Sequence, residues 1–160
     1  MKIITNERMK DVLNKKRKNE LIISAVNFEA LVNPEFVEEY DCIIANGEKP
    51  NVSYEEFNDI VKKHYFDKKG YEHSRTETLI NMYLENSREL SASDMAPVAF
   101  SVINIWASHL KLKDSEGSYC FTVSCSDNYV TMRYYKLREN ESLIEGDIEK
   151  FDQPVAYVIC

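Results

Sequence analysis

Glycine and proline are scarce, with four of each in 160 residues. That scarcity excludes a disordered or low-complexity chain and predicts long regular elements. The glycines are isolated, so no Gly-rich loop is present to cradle phosphate groups. The cysteines, Cys42, Cys120, Cys125 and Cys160, form no C-x-x-C pair, and His64, His73 and His109 form no H-x-x-x-H pair. The recognisable spacings of zinc and thiol-redox sites are therefore missing, and no metal or cofactor is expected. The longest apolar run, MAPVAFSVINIWA (Met95 to Ala107), has 13 residues. A membrane-spanning helix needs about 20, so a buried core helix is expected and no membrane partner. The N-terminus turns polar after Ile4, which predicts no signal peptide and, with four unpaired thiols, a cytoplasmic protein.

Positive charge is also in deficit. The net charge is −7. Nucleic-acid binding rests on neutralising phosphates, so no nucleic-acid partner is expected. The charge is uneven: residues 1–20 hold seven basic and three acidic side chains, whereas residues 21–61 hold one basic and nine acidic. The basic run KKRK, Lys15 to Lys18, has no interleaved aromatics and reads as the solvated end of a first helix, its charge complementing the negative helix terminus.

A chain of this length fits one domain, residues 1–160, that buries about 70% of its unfolded surface. Helical spacing of Met9, Val12 and Leu13 predicts a helix that starts after Thr5 or Asn6 and runs to about Lys16. Leu21, Ala25, Phe28 and Val32 form the stripe of a second, largely buried one, although Leu21–Ile23 alone also fits a strand. Asn33-Pro34 reads as a cap with proline at the first helical position, and Phe36, Tyr40, Ile43 and Ile44 as that helix's buried stripe, ended by Asn46-Gly47. Ser53-Tyr54-Glu55-Glu56 and Ser74-Arg75-Thr76-Glu77 read as capping boxes of two further helices. The first of these buries Phe57, Ile60 and Val61 and stops before Gly70. A long helix after Ser91–Ser93, apolar around nearly its whole circumference, is expected at the centre of the core. The period then changes from 3.6 to 2. With Asp127-Asn128 as the turn, Cys125 faces Val130, Val123 faces Met132 and Phe121 faces Tyr134, so one face is apolar throughout. Val155 to Cys160 reads as a last strand beside this hairpin. The expected fold class is α+β, a helical N-terminal two-thirds packed with a small C-terminal antiparallel sheet.

Two clusters stand out as binding surfaces. Glu35, Glu38, Glu39 and Asp41 fall on or near the polar face of one expected helix, and Glu55, Glu56 and Asp59 on that of the next. Like charges four apart cost a few tenths of a kcal/mol each, so they are either a solubility device or the contact for a basic protein. The second cluster is the hairpin's polar face, with Tyr129, Thr131, Arg133 and Tyr135 beside Thr122 and Ser124. Tyr and Arg are favoured at interfaces, and Thr and Tyr also populate strands on propensity alone. Were helices to cover this face, Arg133 would need a carboxylate partner.

A small acidic chain without site motifs, ending in a hairpin followed by GDIEKFDQPVAYVIC, resembles bacterial immunity proteins of polymorphic or contact-dependent toxin systems. That resemblance implies a cytoplasmic, non-enzymatic protein that neutralises a cognate toxin, in many cases a basic nuclease, by covering its active site or substrate surface. The rival readings are an enzyme or small-molecule binder with a pocket built from Trp106, His109 and Tyr134, and an assembly subunit using the C-terminal strand as an open edge.

Overall fold

The computed structural model describes residues 1–48, 51–139 and 147–160. Gly146, at the head of the GDIEK stretch, lies outside them. Five α-helices among these residues are α1 (Glu7–Asn14), α2 (Ala25–Val32), α3 (Tyr54–His64), α4 (Lys68–Arg75) and α5 (Ala92–Lys113). The strands are β1 (Lys2–Thr5), β2 (Phe36–Glu39), β3 (Cys42–Ala45), β4 (Thr78–Leu79), β5 (Ser118–Ser126), β6 (Tyr129–Leu137) and β7 (Val155–Ile159). An antiparallel five-stranded sheet runs β1-β7-β5-β6-β4, and β2 and β3 form a separate hairpin.

This overturns the expected segregation of an N-terminal helical part from a C-terminal sheet. The molecule is mixed α+β, with helices and strands interleaved along the chain. Both chain ends supply sheet strands: Ile3 pairs with Val158 and Thr5 with Ala156. Asn6 fastens that junction. Its side chain accepts from Met9 N (2.9 Å) and Val155 N (3.0 Å) and donates to Gln153 O (2.8 Å). β7 consequently lies between β1 and β5, so the C-terminal strand is not an open edge.

The helix expected over residues 34–46 is the β2–β3 hairpin. Tyr40 and Asp41 form its two-residue turn at φ 49° and 67°, the left-handed pair such hairpins require. The misreading has a physical source. Ile43 and Ala45 face the main core while Cys42 and Ile44 face α3, so β3 is buried on both sides. A strand buried on both faces is a continuous apolar run, which periodicity does not separate from a helix stripe.

Other boundaries shift too. The Ser53–Glu56 capping box holds, with Ser53 N donating to Glu56 Oε2 (3.0 Å). Ile60 is exposed rather than buried. Ser74 lies inside α4, whose cap is Asp67, and the residues expected to follow it as a helix are β4 and a short 3-10 turn. In α2 the exposed Phe28 leaves the core to Leu31 and Val32.

The β5–β6 hairpin has the expected register, including Cys125 with Val130 and Phe121 with Tyr134. Its apolar face packs on α5, where Met95, Ala99, Ile103, Trp106 and Leu110 are buried. Each large side chain there contributes about 1.5–3 kcal/mol by leaving water. α5 is not apolar all round: Ser101, Asn104 and Ser108 are exposed and donate to the carbonyl four residues back.

Candidate functional site

The second face of the main sheet is largely covered. One row across it reads Tyr157, Thr122, Arg133, from β7 through β5 to β6. α4 lies over β6, and Ile148 and Phe151 pack on the other side against Cys120, Tyr135, Val155 and Tyr157. Between these covers a cleft of about 100 Å³ remains, lined by His73, Thr122, Ser124, Arg133, Phe151 and Tyr157 among others. His73 Nε2 stands 3.0 Å from Thr122 Oγ1. Burial, and then the nearby Arg133 charge, push the His73 pKa down to about 4, so the ring is neutral at pH 7. Arg133 is paired with Glu77, the carboxylate that a covered face demands, while its Nε is buried without a partner among the described residues. Of the predicted interface residues here, Tyr129 is exposed at the hairpin end, whereas Thr131 and Arg133 are half-buried. Ligand pockets usually enclose about 300–1,000 Å³, so this cleft admits a few waters rather than a substrate of ordinary size.

A network of ion pairs joins the small hairpin to the sheet. Glu72, on α4, is fully buried. It accepts from Ile43 N (3.2 Å), Lys136 N (2.9 Å) and both terminal nitrogens of Arg138 (2.9 and 3.0 Å). Burial raises the Glu72 pKa, and the Arg138 fork works against that rise. Lys136 bridges Asp41 (2.8 Å) and Asp114 (2.9 Å), and Asp114 also accepts from Tyr119 Oη (2.9 Å). Burial alone would raise the Asp41 carboxyl, but the Lys136 and Arg138 bonds outweigh it and hold the pKa down.

The predicted acidic residues therefore separate. Asp41 is neutralised by Lys68, Lys136 and Arg138. Glu56 closes its helix cap. Glu39 is half-buried with Oε2 unpartnered among the described residues. Glu35, Glu38, Glu55 and Asp59 are exposed, and no ion pair among the described residues engages them. Glu38 lies on β2 and Glu35 directly before it, bonded to Asn46 past the end of β3, so neither is on a helix and the four-residue spacing of Glu35 and Glu39 carries no helical meaning. The hairpin turn and the start of α3 are held together by the Tyr40 and Tyr54 rings (5.4 Å) and by Tyr40 Oη donating to Val52 O (2.7 Å). Glu55, in the first turn of α3, thus lies near the turn of the same hairpin that carries Glu35 and Glu38.

Of the residues of the rival pocket, Trp106 and Tyr134 are core and His109 is half-buried beside them. Trp106 is 1% exposed and donates to Leu31 O (2.8 Å), Tyr134 donates to Ile43 O (3.0 Å), and Phe36 packs edge-on to Trp106, His109 and Tyr134. Burial pushes the Cys42 and Cys125 thiols up to about 12 and Cys120 up to about 11, so all three are protonated, weak nucleophiles. No cluster of three metal-ligating side chains occurs among the described residues, and no helix there is long and apolar enough to cross a membrane.

Sequence reasoning missed Glu72, Lys136, Arg138 and the His73–Thr122 pair. The one available signal was Lys136 and Arg138 two apart on a strand, hence on one face and in need of an acid. The chain belongs to the Uncharacterized protein PM0498 family, whose model matches residues 4–159. No curated protein and no solved structure matches.

Proposed function

We propose that this PM0498-family chain is a non-enzymatic, cytoplasmic binding protein that covers a cationic protein partner, and that it serves as an immunity protein against a cognate toxin. The observation that carries the reading is the contrast among its carboxylates. Asp41, Glu72 and Asp114 are each matched to cations within the fold, while Glu35, Glu38, Glu55 and Asp59 remain exposed and unmatched among the described residues. In a chain of net charge −7 these groups supply an uncompensated field that steers a basic surface into contact and rejects acidic ones. The hairpin and α3 that present them are tied down by the aromatic contacts at Tyr40 and by the Glu72–Arg138 pair, so little ordering is required on binding. The non-enzymatic reading is supported by the packing of Trp106 and Tyr134 into the core, which leaves neither side chain free to line a pocket.

Co-expression with the product of the neighbouring upstream gene tests this. A stoichiometric complex is expected on co-purification, together with protection of cells that the neighbour alone harms. No complex and no protection would remove the reading.

A further inference from the structure

The KKRK run begins at the C-cap of α1, Lys15, and continues beyond it, so the helix terminus accounts for its first residue and not for the rest. α1 ends at Asn14, has no basic residue in its last turn, and is followed by Lys15 in extended conformation. Lys16, Arg17 and Lys18 belong to the connecting loop. That loop is fastened to the region before α5. Lys18 N donates to Asp94 Oδ1 (2.9 Å), Asn19 Nδ2 to Glu89 O (2.8 Å), and Asn86 Nδ2 to Glu20 O (2.9 Å). Asp94 is fully buried. Burial alone would raise its pKa, but hydrogen bonds from Ser91, Lys18 and Asn19 outweigh that and keep it ionised. The loop is thus held in one shape by a buried carboxylate whose charge is already used.

Beside it opens a cleft of about 600 Å³, lined by Lys15, Lys16, Lys18, Arg88, Ser91 and Ser93 with Asn128 at the hairpin turn. No ion pair among the described residues engages any of the four cations. We propose that this cleft is a binding site for a small phosphorylated ligand. The cleft volume lies in the range of small-molecule sites. The cations on the lining, three ammonium groups and one guanidinium, suit phosphate oxygens, whereas the Ser91 hydroxyl is already committed to Asp94 (2.8 Å) and to Ser93 (2.8 Å). The lining includes no aromatic ring, so a nucleic-acid strand would find no stacking platform, and the phosphate rather than a base is what the site recognises. The α5 N-terminus is not the source of affinity, because Ser91 and Asp94 already cap it. Glu89 and Asp94 leave the lining with a positive balance, in a chain that is acidic overall. The site is independent of the acidic surface proposed for the protein partner.

The test is titration of the full chain with inorganic pyrophosphate, read by calorimetry and by amide chemical shifts. The expected result is saturable binding, with shifts confined to residues 15–19 and 88–93. Lys15→Gln with Arg88→Gln, both at exposed positions, weakens binding at least about tenfold, since each lost charge contact is worth about a factor of ten. Lys62→Gln with Lys63→Gln, an equal charge change on α3, leaves binding unchanged. No saturable shift overturns the proposal. Equal weakening by both double variants shows only diffuse charge and overturns it as well. A single-stranded oligonucleotide binding tenfold more tightly than pyrophosphate would replace it with a nucleic-acid surface.

Discussion

Glu72 is the residue on which the joint between the small hairpin and the main sheet depends. It takes hydrogen bonds from three residues at once: Ile43 on β3, Lys136 on β6 and Arg138 just beyond β6. Removing it would take from the half-buried Arg138 guanidinium one of its two acids, Asp41 being the other, and leave two backbone donors without an acceptor. Truncation of one partner of a buried pair costs about 3–5 kcal/mol, so Glu72→Ala is expected to lower unfolding free energy by that amount in urea titrations. A loss below about 1 kcal/mol would show the pair to be solvent-compensated. His73 makes a pH prediction. Its ordinary pKa of 6.5 falls to about 4 in the fold, through burial first and Arg133 second. Below 6.5 the unfolded chain takes up a proton that the folded chain refuses. Stability from this group therefore declines from pH 6.5 to about 4 and levels off below. Proton NMR should show the His73 ring untitrated above about pH 5, and His73→Gln should flatten that part of the stability profile. A midpoint near 6.5 would mean the ring is open to solvent.

Among the elements, the β2–β3 hairpin governs both stability and the placing of the acidic groups. Asp41 combines a left-handed backbone with side-chain bonds to Lys136 and Arg138. Asn tolerates that backbone and Ala does not, at a difference of about 1 kcal/mol. Asp41→Asn and Asp41→Ala both lose the charge, so thermal unfolding should place the Ala variant lower by about that margin. Equal values would show that the turn is unstrained. The same hairpin marks the limit of what the chain declares about itself. Phe36, Ile43 and Ile44 satisfy a helical stripe as well as a doubly buried strand, and only the left-handed turn at Tyr40-Asp41, invisible in composition, separates the two. The β5–β6 hairpin was legible because one face alternates cleanly and fixes the register. β1 was not, because four residues carry no periodicity and are a strand only through pairing with β7. The candidate site was legible in part: Glu35, Glu38, Glu55 and Asp59 are exposed as their composition suggests, but two of the cations that neutralise Asp41, Lys136 and Arg138, come from more than 90 residues away along the chain.

For the molecule as a whole, the organising feature is two separated fields on one rigid frame. Exposed carboxylates sit on the small hairpin and α3, and lysines sit on the loop after α1. Both are carried on elements anchored by buried carboxylates, Glu72 for one and Asp94 for the other. The central claim is that the acidic field meets a cationic protein. The most direct measurement is the association rate with the co-expressed partner as ionic strength rises. The native chain is compared with a Glu35→Gln, Glu38→Gln, Glu55→Gln, Asp59→Asn variant. The account predicts an association rate at least about tenfold slower for the variant, with a flatter salt dependence, because these charges steer the encounter. A partner that binds both chains at the same rate and with the same salt dependence would contradict it.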